Sequence, residues 1–517
     1  MRAAALKGGL ALVLVAVVFG CASLPQLPPH GAAPASAAIL DTAGTGLGEA
    51  IAPLAAAHPG LSGVHPLAAG RDAFAARVLL AQHAQRSLDL QYYIWRRDMT
   101  GMLLLDALRS AAARGVRVRL LLDDNNTAGL DPVLAELDRD PNIEVRLFNP
   151  FGARSWRSLG YLTDFSRLNR RMHNKSFTAD NQATIVGGRN IGDEYFDAAG
   201  DLLFVDVDVV TIGPVVPAVS HDFDRYWNSP SAYPVSALVA QDDIPAPGTL
   251  AQQVQVLRGE PAAKTYLDAI RTLPFVEQLA QRRLPLEWAH AQLISDDPAK
   301  VLGAGPPQAR VAVKLRDLLG EPEHQVDLVS PYFVPGKETT RMLGDMARRG
   351  VKVRILTNSL EATDVAAVHA GYAKWRRELL EAGVALFELR RVAERATPRD
   401  HLGPFGSSGS SLHAKTFGVD GHRVFVGSFN LDPRSIELNT EMGFVIESPQ
   451  LAAELDARLT QAMPASAYEV KLEADGRLVW LERTGQGVRR HKTEPGASVW
   501  KRASVQVLSW LPIDWLL

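Results

Sequence analysis

Cysteine is almost absent from this 517-residue sequence. Cys21 is the only one, so no disulfide can form within the chain. A long apolar run is missing as well: Gly8–Gly20, preceded by Arg2 and Lys7, has the length of a secretory signal rather than of a membrane-spanning helix. Nor is there a basic excess. Lys and Arg number 55 against 57 Asp and Glu, a formal net charge of −2 that becomes −4 if Arg2 and Lys7 are removed with a leader. That weighs against a general nucleic-acid binder, which normally carries surplus positive charge. What remains is the composition of a globular protein, 47% hydrophobic and 22% charged, on a chain long enough for two domains or one large duplicated one.

One pattern is present twice. His173-Asn-Lys175 is followed by Asp180, Gly187-Gly188 and Asn190; 240 residues later His413-Ala-Lys415 is followed at the same spacing by Asp420, Gly427-Ser428 and Asn430. Asp201 and Glu441 each lie 28 residues after their histidine. Histidine is the side chain suited to act as nucleophile, base or acid near neutral pH, and lysine is a compact charge for a phosphoryl oxygen. In extended backbone i and i+2 share a face, so each His and Lys pair should enter one pocket. Facing half-sites would bring together two His and two Lys, with Asn190, Asn430 and Ser428 as donors. Such a site neutralises a phosphate with no metal and no organic cofactor. One histidine can attack phosphorus while the other protonates the leaving oxygen. Asp201 and Glu441 are the candidates to hold the second ring nitrogens, and sequence leaves open which serves which histidine. Asp180 and Asp420 complete the motif but sit at expected turns, where a structural role is the reading the residues favour.

The repeat extends beyond the motifs. Ser87–Trp95 aligns with Gln325–Phe333, helix-like Gly101–Arg114 with Thr339–Arg349, and Arg114–Leu122 with Arg349–Thr357. This strand–helix–strand order, with Gly115 and Gly350 at the helix ends, predicts two α/β halves, each a mixed sheet flanked by helices, with the site at their interface. The expected division is a signal peptide at 1–20, a tether at 21–66, a first half at 67–240, a linker at 241–300, a second half at 301–465 and a tail at 466–517. The tail's Trp480, Trp500, Trp510 and Trp515 are expected to pack on the core. Residues 153–172 carry five Arg and three aromatics, and Arg390, Arg391, Arg395 and Arg399 occupy the comparable stretch of the second half. Both read as a rim for an anionic membrane surface. Residues 403–411, rich in Gly and Ser, read as a gate beside the second motif.

Both motif segments resemble the HKD motifs of the phospholipase D superfamily. The resemblance implies phosphodiester cleavage or transfer through a phosphohistidine, with His173 as nucleophile, His413 as acid, and Lys175, Asp180, Lys415 and Asp420 in the catalytic set. The strings DLQYYIWRRDMTGMLLLDAL, VGGRNIGDEYF, FDRYWNS, SLEATDVAAVHAGYAKWRRELLEAGV and LPIDWLL are most similar to the bacterial cardiolipin synthase C branch, over nearly all of the chain beyond about residue 70. That similarity implies transfer of a phosphatidyl group onto a phosphatidylglycerol hydroxyl, from phosphatidylglycerol or phosphatidylethanolamine, with an accessory protein as an open question. A phospholipase D hydrolysing lipids to phosphatidic acid is the alternative, and a non-catalytic lipid-binding envelope protein the second. Val18-Phe19-Gly20-Cys21 resembles a bacterial lipobox, which predicts lipidation at Cys21 and a body facing the periplasm; Ala22, rather than Asp, favours the outer membrane.

Overall fold

A computed structural model of the chain describes residues 24, 35–154, 156–198, 206–363, 365–391 and 412–510. Cys21, Asp201, Arg395, Arg399, the 403–411 segment and Trp515 lie outside the described residues.

The first half contributes β1 (Ser62–Leu67), β2 (Ser87–Ile94), β3 (Arg117–Asn126), β4 (Ile143–Phe148), β5 (Ser176–Ala179), β6 (Ala183–Gly187), β7 (Asp208–Ile212) and β8 (Ala232–Pro234). They pair in the order β1–β7–β6–β5–β2–β3–β4–β8, with β2, β3 and β4 parallel. The second half contributes β9 (Glu287–Ser295), β10 (Gln325–Val329), β11 (Lys352–Asn358), β12 (Ala385–Leu389), β13 (Thr416–Val419), β14 (Arg423–Gly427), β15 (Met442–Glu447) and β16 (Ala467–Leu472). It repeats the order as β9–β15–β14–β13–β10–β11–β12–β16, extended by β17 (Leu478–Thr484) and β18 (Gly487–His491). One strand joins the halves: Glu287–Ala289 of β9 pairs with β1, and His290–Ser295 pairs with β15.

The local chemistry explains the repeat. All eight residues of β2 are buried, as a parallel strand covered on both faces requires. Crossovers between parallel strands need a helix. These are Met99–Ala112, capped by the Asp98 carboxylate on Gly101 N at 3.0 Å, and Gly336–Arg348. Each ends on a glycine in the left-handed region, Gly115 at φ 91° and Gly350 at φ 96°, where a Cβ would be strained. Even the buried charges are duplicated. Asp89 on β2 holds Arg119 on β3 at 2.7 Å, and Asp327 on β10 holds Arg354 on β11 at 2.6 Å. A helix carboxylate, Asp224 or Asp456, completes each cluster. Between the halves lies a separate apolar cluster including Val186, Val209, Val426 and Phe444 from β6, β7, β14 and β15. The motif strands thus lie back to back across the interface.

Three boundaries differ from expectation. The body begins well before residue 67: Gly46–Ala57 is a helix, β1 enters the sheet, and Ala38 N donates to Asp224 at 2.9 Å. Residues 241–300 are not a free connector. Leu250, Val254, Tyr266 and Phe275 from their helices join the first half's core, and β9 opens the second half. The tail divides: β16–β18 continue the sheet and bury Trp480, whereas Trp500 and Trp510 are 84% and 74% exposed. Apolar pattern marks burial but does not say which aromatic finds a partner.

Candidate active site

Each motif enters through a short extended stretch just ahead of its strand. Met172 bridges in parallel to Thr440, and His173 N donates to Thr440 O at 2.8 Å, stitching the first motif to the second half. The lysines turn back onto their own motifs: the Lys175 ammonium donates to His173 O, and that of Lys415 to His413 O. All four side chains are buried.

The histidine–carboxylate pairs cross the interface. His173 Nδ1 lies 2.8 Å from Glu441 Oε2 of the second half, and His413 Nδ1 lies 2.6 Å from Asp206 Oδ2 of the first. An Nδ1–H donated to a carboxylate leaves Nε2 as the reactive nitrogen of each ring. Glu441 is therefore positioned against the other half's histidine. Asp206 occupies the place for which equal spacing pointed to Asp201. In the ladders Gly427 pairs with Gly443, two residues after Glu441, and Gly187 pairs with Asp208, two residues after Asp206. Five extra residues precede Asp206 in the first half, so counting from the histidine misses it. The readable signal was the carboxylate just ahead of the apolar strand Asp208–Ile212.

Other expected residues divide. Ser428 Oγ donates to Glu441 Oε2 and accepts from Met442 N at 3.0 Å, so it supports the carboxylate. Asn190 is committed to structure: its Oδ1 accepts from Ile94 N at 3.1 Å and its Nδ2 donates to Tyr195 OH at 3.2 Å. Asn430 is buried, with its side-chain oxygen lacking a hydrogen-bond partner among the described residues. Asp180 and Asp420 are not brought to the histidines. The Asp180 carboxylate accepts from Gln85, Arg86 and Ser87 N, and that of Asp420 from Glu323, His324 and Gln325 N, fastening the starts of β2 and β10. Both take φ near +50°, the turn conformation Asp tolerates.

Several residues at the site carried no sequence signal. Tyr93 meets the His173 ring edge-on at 4.9 Å and Tyr195 meets His413 at 5.2 Å. Ser435 Oγ donates to Glu441 Oε1 at 2.9 Å, and Asp296 accepts from Glu441 N at 2.9 Å. Tyr195 and Ser435 hold equivalent positions in the repeat but differ in type, and Tyr93 and Asp296 lie far from either motif in sequence.

Burial, then the ammoniums of Lys175 and Lys415, lowers His173 well below its ordinary range. Burial and Lys415 bring His413 to about 3, against the pull of Asp206. Burial lowers Lys175 strongly and brings Lys415 to about 8, opposed by the pocket's carboxylates. Burial raises Glu441 to about 7, offset in part by Lys175, Ser428 and Ser435. Burial also works to raise Asp206, but His413, Lys415 and Arg189 outweigh it and hold this carboxylate below its usual range. Two neutral imidazoles beside buried cations form a trap for an anion, and an anion between the lysines would offset the charges that depress the rings.

The profile of the family described as "Cardiolipin synthase, PLD-like domain" matches residues 79–227 and 315–463, one match per half. The chain belongs to this phospholipase D-like family. It is 51% identical to cardiolipin synthase C of Escherichia coli strain K12 over 474 residues, 91% of this chain and 99% of that one. It is 27% identical to cardiolipin synthase A of Pseudomonas syringae, over 81% of this chain and 72% of that one. Among solved structures, the phosphatidylserine synthase of Haemophilus influenzae superposes with a TM-score of 0.54 at 16% identity, covering 91% of this chain and all of the other. That similarity establishes the two-half phospholipase D-like fold.

The expected arginine rim is different in kind. Arg154 and Arg157 pair with Asp124 and Asp131, Arg171 is buried on Asp123, Arg167 pairs with Asp164, and Arg170 donates to the carbonyls of Lys300 and Glu437. The large side chains that face outward are apolar: Trp156, Leu159 and Leu162, 69%, 41% and 83% exposed, around the helix Arg157–Thr163. Tyr161 of this helix donates to Asn125 at the end of β3 at 2.7 Å.

Proposed function

We propose that the chain is a phosphatidyltransferase that makes cardiolipin through a phosphohistidine intermediate. The crossed pairing of two buried histidines with carboxylates of the opposite half, between two lysines, carries this reading; the relationship to cardiolipin synthase C supports the acceptor. His173 Nε2 attacks the donor phosphorus, while Glu441 takes up the charge developing at Nδ1. With the donor phosphate between the lysines, His413 takes up a solvent proton to become the imidazolium paired with Asp206; it gives its Nε2 proton to the departing alcohol, then removes one from the incoming phosphatidylglycerol hydroxyl. Lys175 and Lys415 hold the phosphoryl oxygens, with Asn430 nearby. Asp206, ionised and beside Arg189, stabilises the imidazolium form of His413. No net proton is consumed, since the proton given to the first alcohol is recovered from the second. Water in place of that alcohol would yield phosphatidic acid.

The exposed Trp156, Leu159 and Leu162 support contact of the site's rim with the apolar edge of a membrane, rather than with headgroups through arginine. The leader and Cys21 support a lipid-anchored body facing the periplasm, with the outer membrane favoured by Ala22. Incorporation of labelled palmitate that survives a Cys21→Ser change would remove that anchor.

The deciding experiment incubates the protein with labelled phosphatidylglycerol, alone and with phosphatidylethanolamine, and separates the products by mass. Cardiolipin that disappears in a His413→Ala control is the expected result. Phosphatidic acid alone would make the chain a hydrolase. No change in either lipid, with the accessory factors of a membrane extract supplied, would overturn the reading.

A further inference from the structure

A cavity of about 850 Å³ lies in the first half; none of the two motifs' His, Lys, Asp, Gly or Asn residues lines it, and only Ala183 lies within a motif's span. Its wall is apolar, with Ile51 and Leu54 from the helix Gly46–Ala57, Leu80 from Gly70–His83, Phe275 and Leu279 from Pro274–Ala280, and Ile212 from β7. Protein interiors are close-packed, with few voids larger than a water molecule. Apart from Gln82, His83, Gln85, Arg114 and Arg282, the lining side chains offer water no hydrogen-bond partner. The size falls within the usual range for ligand pockets, ~300–1,000 Å³.

The roof is telling. The helix Gly46–Ala57 reads Gly-Leu-Gly-Glu-Ala-Ile-Ala-Pro-Leu-Ala-Ala-Ala, yet buries only Gly48 and Ile51. Its apolar face covers the cavity instead of filling it. The charged and titratable groups at the lining are His83, Arg114 and Arg282, and no carboxylate lines it. Arg114 is fixed there by hydrogen bonds to the carbonyls of Ala81 and Ala84. Arg282 is exposed and makes no side-chain hydrogen bond among the described residues. A largely apolar chamber with cationic groups and no acidic ones fits one chemistry, an amphiphile with an alkyl chain and an anionic head.

We propose that this cavity holds an acyl chain of an anionic membrane phospholipid, with its phosphate beside Arg282 and Arg114. It would be a second lipid site, apart from the one where transfer occurs. The folded segment before residue 67 then has a function as the roof of that site. The inference goes beyond phosphatidyl transfer and does not depend on it.

Binding is measured on the full chain carrying His173→Ala, so that no turnover consumes the probe. Palmitoyl-lysophosphatidylglycerol and palmitoyl-lysophosphatidylcholine are titrated by calorimetry below their micellar concentrations. Separately, vesicles containing phosphatidylglycerol with a diazirine on its acyl chain are photolysed and the labelled peptides mapped. Ala50→Trp, at a half-exposed roof position, should weaken both lysolipids by about tenfold, and Arg282→Glu should weaken the anionic one by a similar factor and the zwitterionic one, which carries the same phosphate, by less. Label should fall on peptides spanning 46–57 and 274–280. Undiminished affinity in Ala50→Trp with an unchanged melting temperature, or label confined to peptides around residues 173 and 413, would overturn the proposal. If Ala50→Trp does not fold, Arg282→Glu decides: equal binding of both lysolipids by it and by its parent overturns the proposal. Cardiolipin is not read in any arm, so a failed transfer assay leaves this inference intact and the converse holds too.

Discussion

The two histidine–carboxylate pairs occupy equivalent places in a duplicated fold and are built from different parts. In the first half Gly188 precedes Arg189, and a Cβ at Gly188 would collide with the Asp206 carboxylate, so glycine is what lets Asp206 sit there. Arg189 donates to the carbonyls of Leu67, Ala68 and Asp206, and its charge helps to hold the Asp206 carboxylate ionised. In the second half Ser428 and Phe429 stand in those places. Ser428 gives a hydroxyl to Glu441, and Phe429 goes to the core. Ser435 likewise replaces the tyrosine, Tyr195, that in the first half meets His413 edge-on. The outcome is one carboxylate held ionised by nearby cations and one, supported by hydroxyls, that burial raises to about 7. Duplication supplied the geometry, and a few substitutions separated the electrostatics. A site with one strongly ionised and one easily protonated carboxylate has distinct chemical roles for its two histidines.

The sharpest way to break this comparison is to remove the rings. His173→Ala should abolish phosphatidyl transfer, a loss of about 10⁴-fold or more, and no trapped phospho-enzyme should form. Retained covalent labelling in that variant, lost instead in His413→Ala, would reverse the assignment. The carboxylates come next. Asp206→Asn removes the anion that stabilises the His413 imidazolium and should cost about 10³-fold in kcat. Glu441→Gln keeps a hydrogen-bond acceptor at a position already close to neutral and should cost about 10²-fold or less. Equal losses would mean that the electrostatic difference has no bearing on the reaction.

The same contrast predicts a narrow pH optimum. The Glu441 carboxylate is needed to hold the Nδ1 proton of His173, and its folded value is about 7. As pH falls through 7 it protonates, and kcat/KM should fall with it. Lys415 must be an ammonium, and its folded value is about 8. As pH rises through 8 that charge is lost and kcat/KM should fall again, since this ratio reports the free enzyme. Glu441→Gln should flatten the acid limb and leave the alkaline one. An acid limb that persists unchanged would assign it to another group.

Much of this was legible because repetition is a strong signal. Matched spacing identified both motifs, and the strand–helix–strand register, with Gly115 and Gly350 at helix ends, anticipated the parallel core. The failures share a physical cause. Asp206 is set by its strand pairing, so an insertion upstream moves it in sequence but not in space. Tyr93, Tyr195, Ser435 and Asp296 reach the site through tertiary contacts that leave no local periodicity. The arginines of 153–172 suggested a basic rim because sequence shows charges and not their partners. Asp124, Asp131 and Asp123, which neutralise three of them, lie 23 to 48 residues away.

The smallest effects belong to the turn aspartates, where the halves again differ. Asp180 is fully buried and accepts three amide hydrogen bonds, so Asp180→Ala leaves those donors without a partner and should cost about 3 kcal/mol. Asp420 makes the same contacts near solvent, where water can replace them, and Asp420→Ala should cost about 1 kcal/mol. Turnover per folded molecule should be unchanged in both. A rate defect at wild-type melting temperature would instead place these carboxylates in the chemistry. Burial works to raise Asp420, but the amides of Glu323, Gln325 and His324 outweigh it and leave it below its ordinary 3.8. A carboxyl depressed on folding stabilises above its unfolded value, and that contribution disappears as pH falls through the folded one. The difference in melting temperature between the wild type and Asp420→Asn should therefore be constant near neutrality and shrink below about pH 4. A difference that holds into strong acid would show that the contacts act through their geometry rather than through the charge.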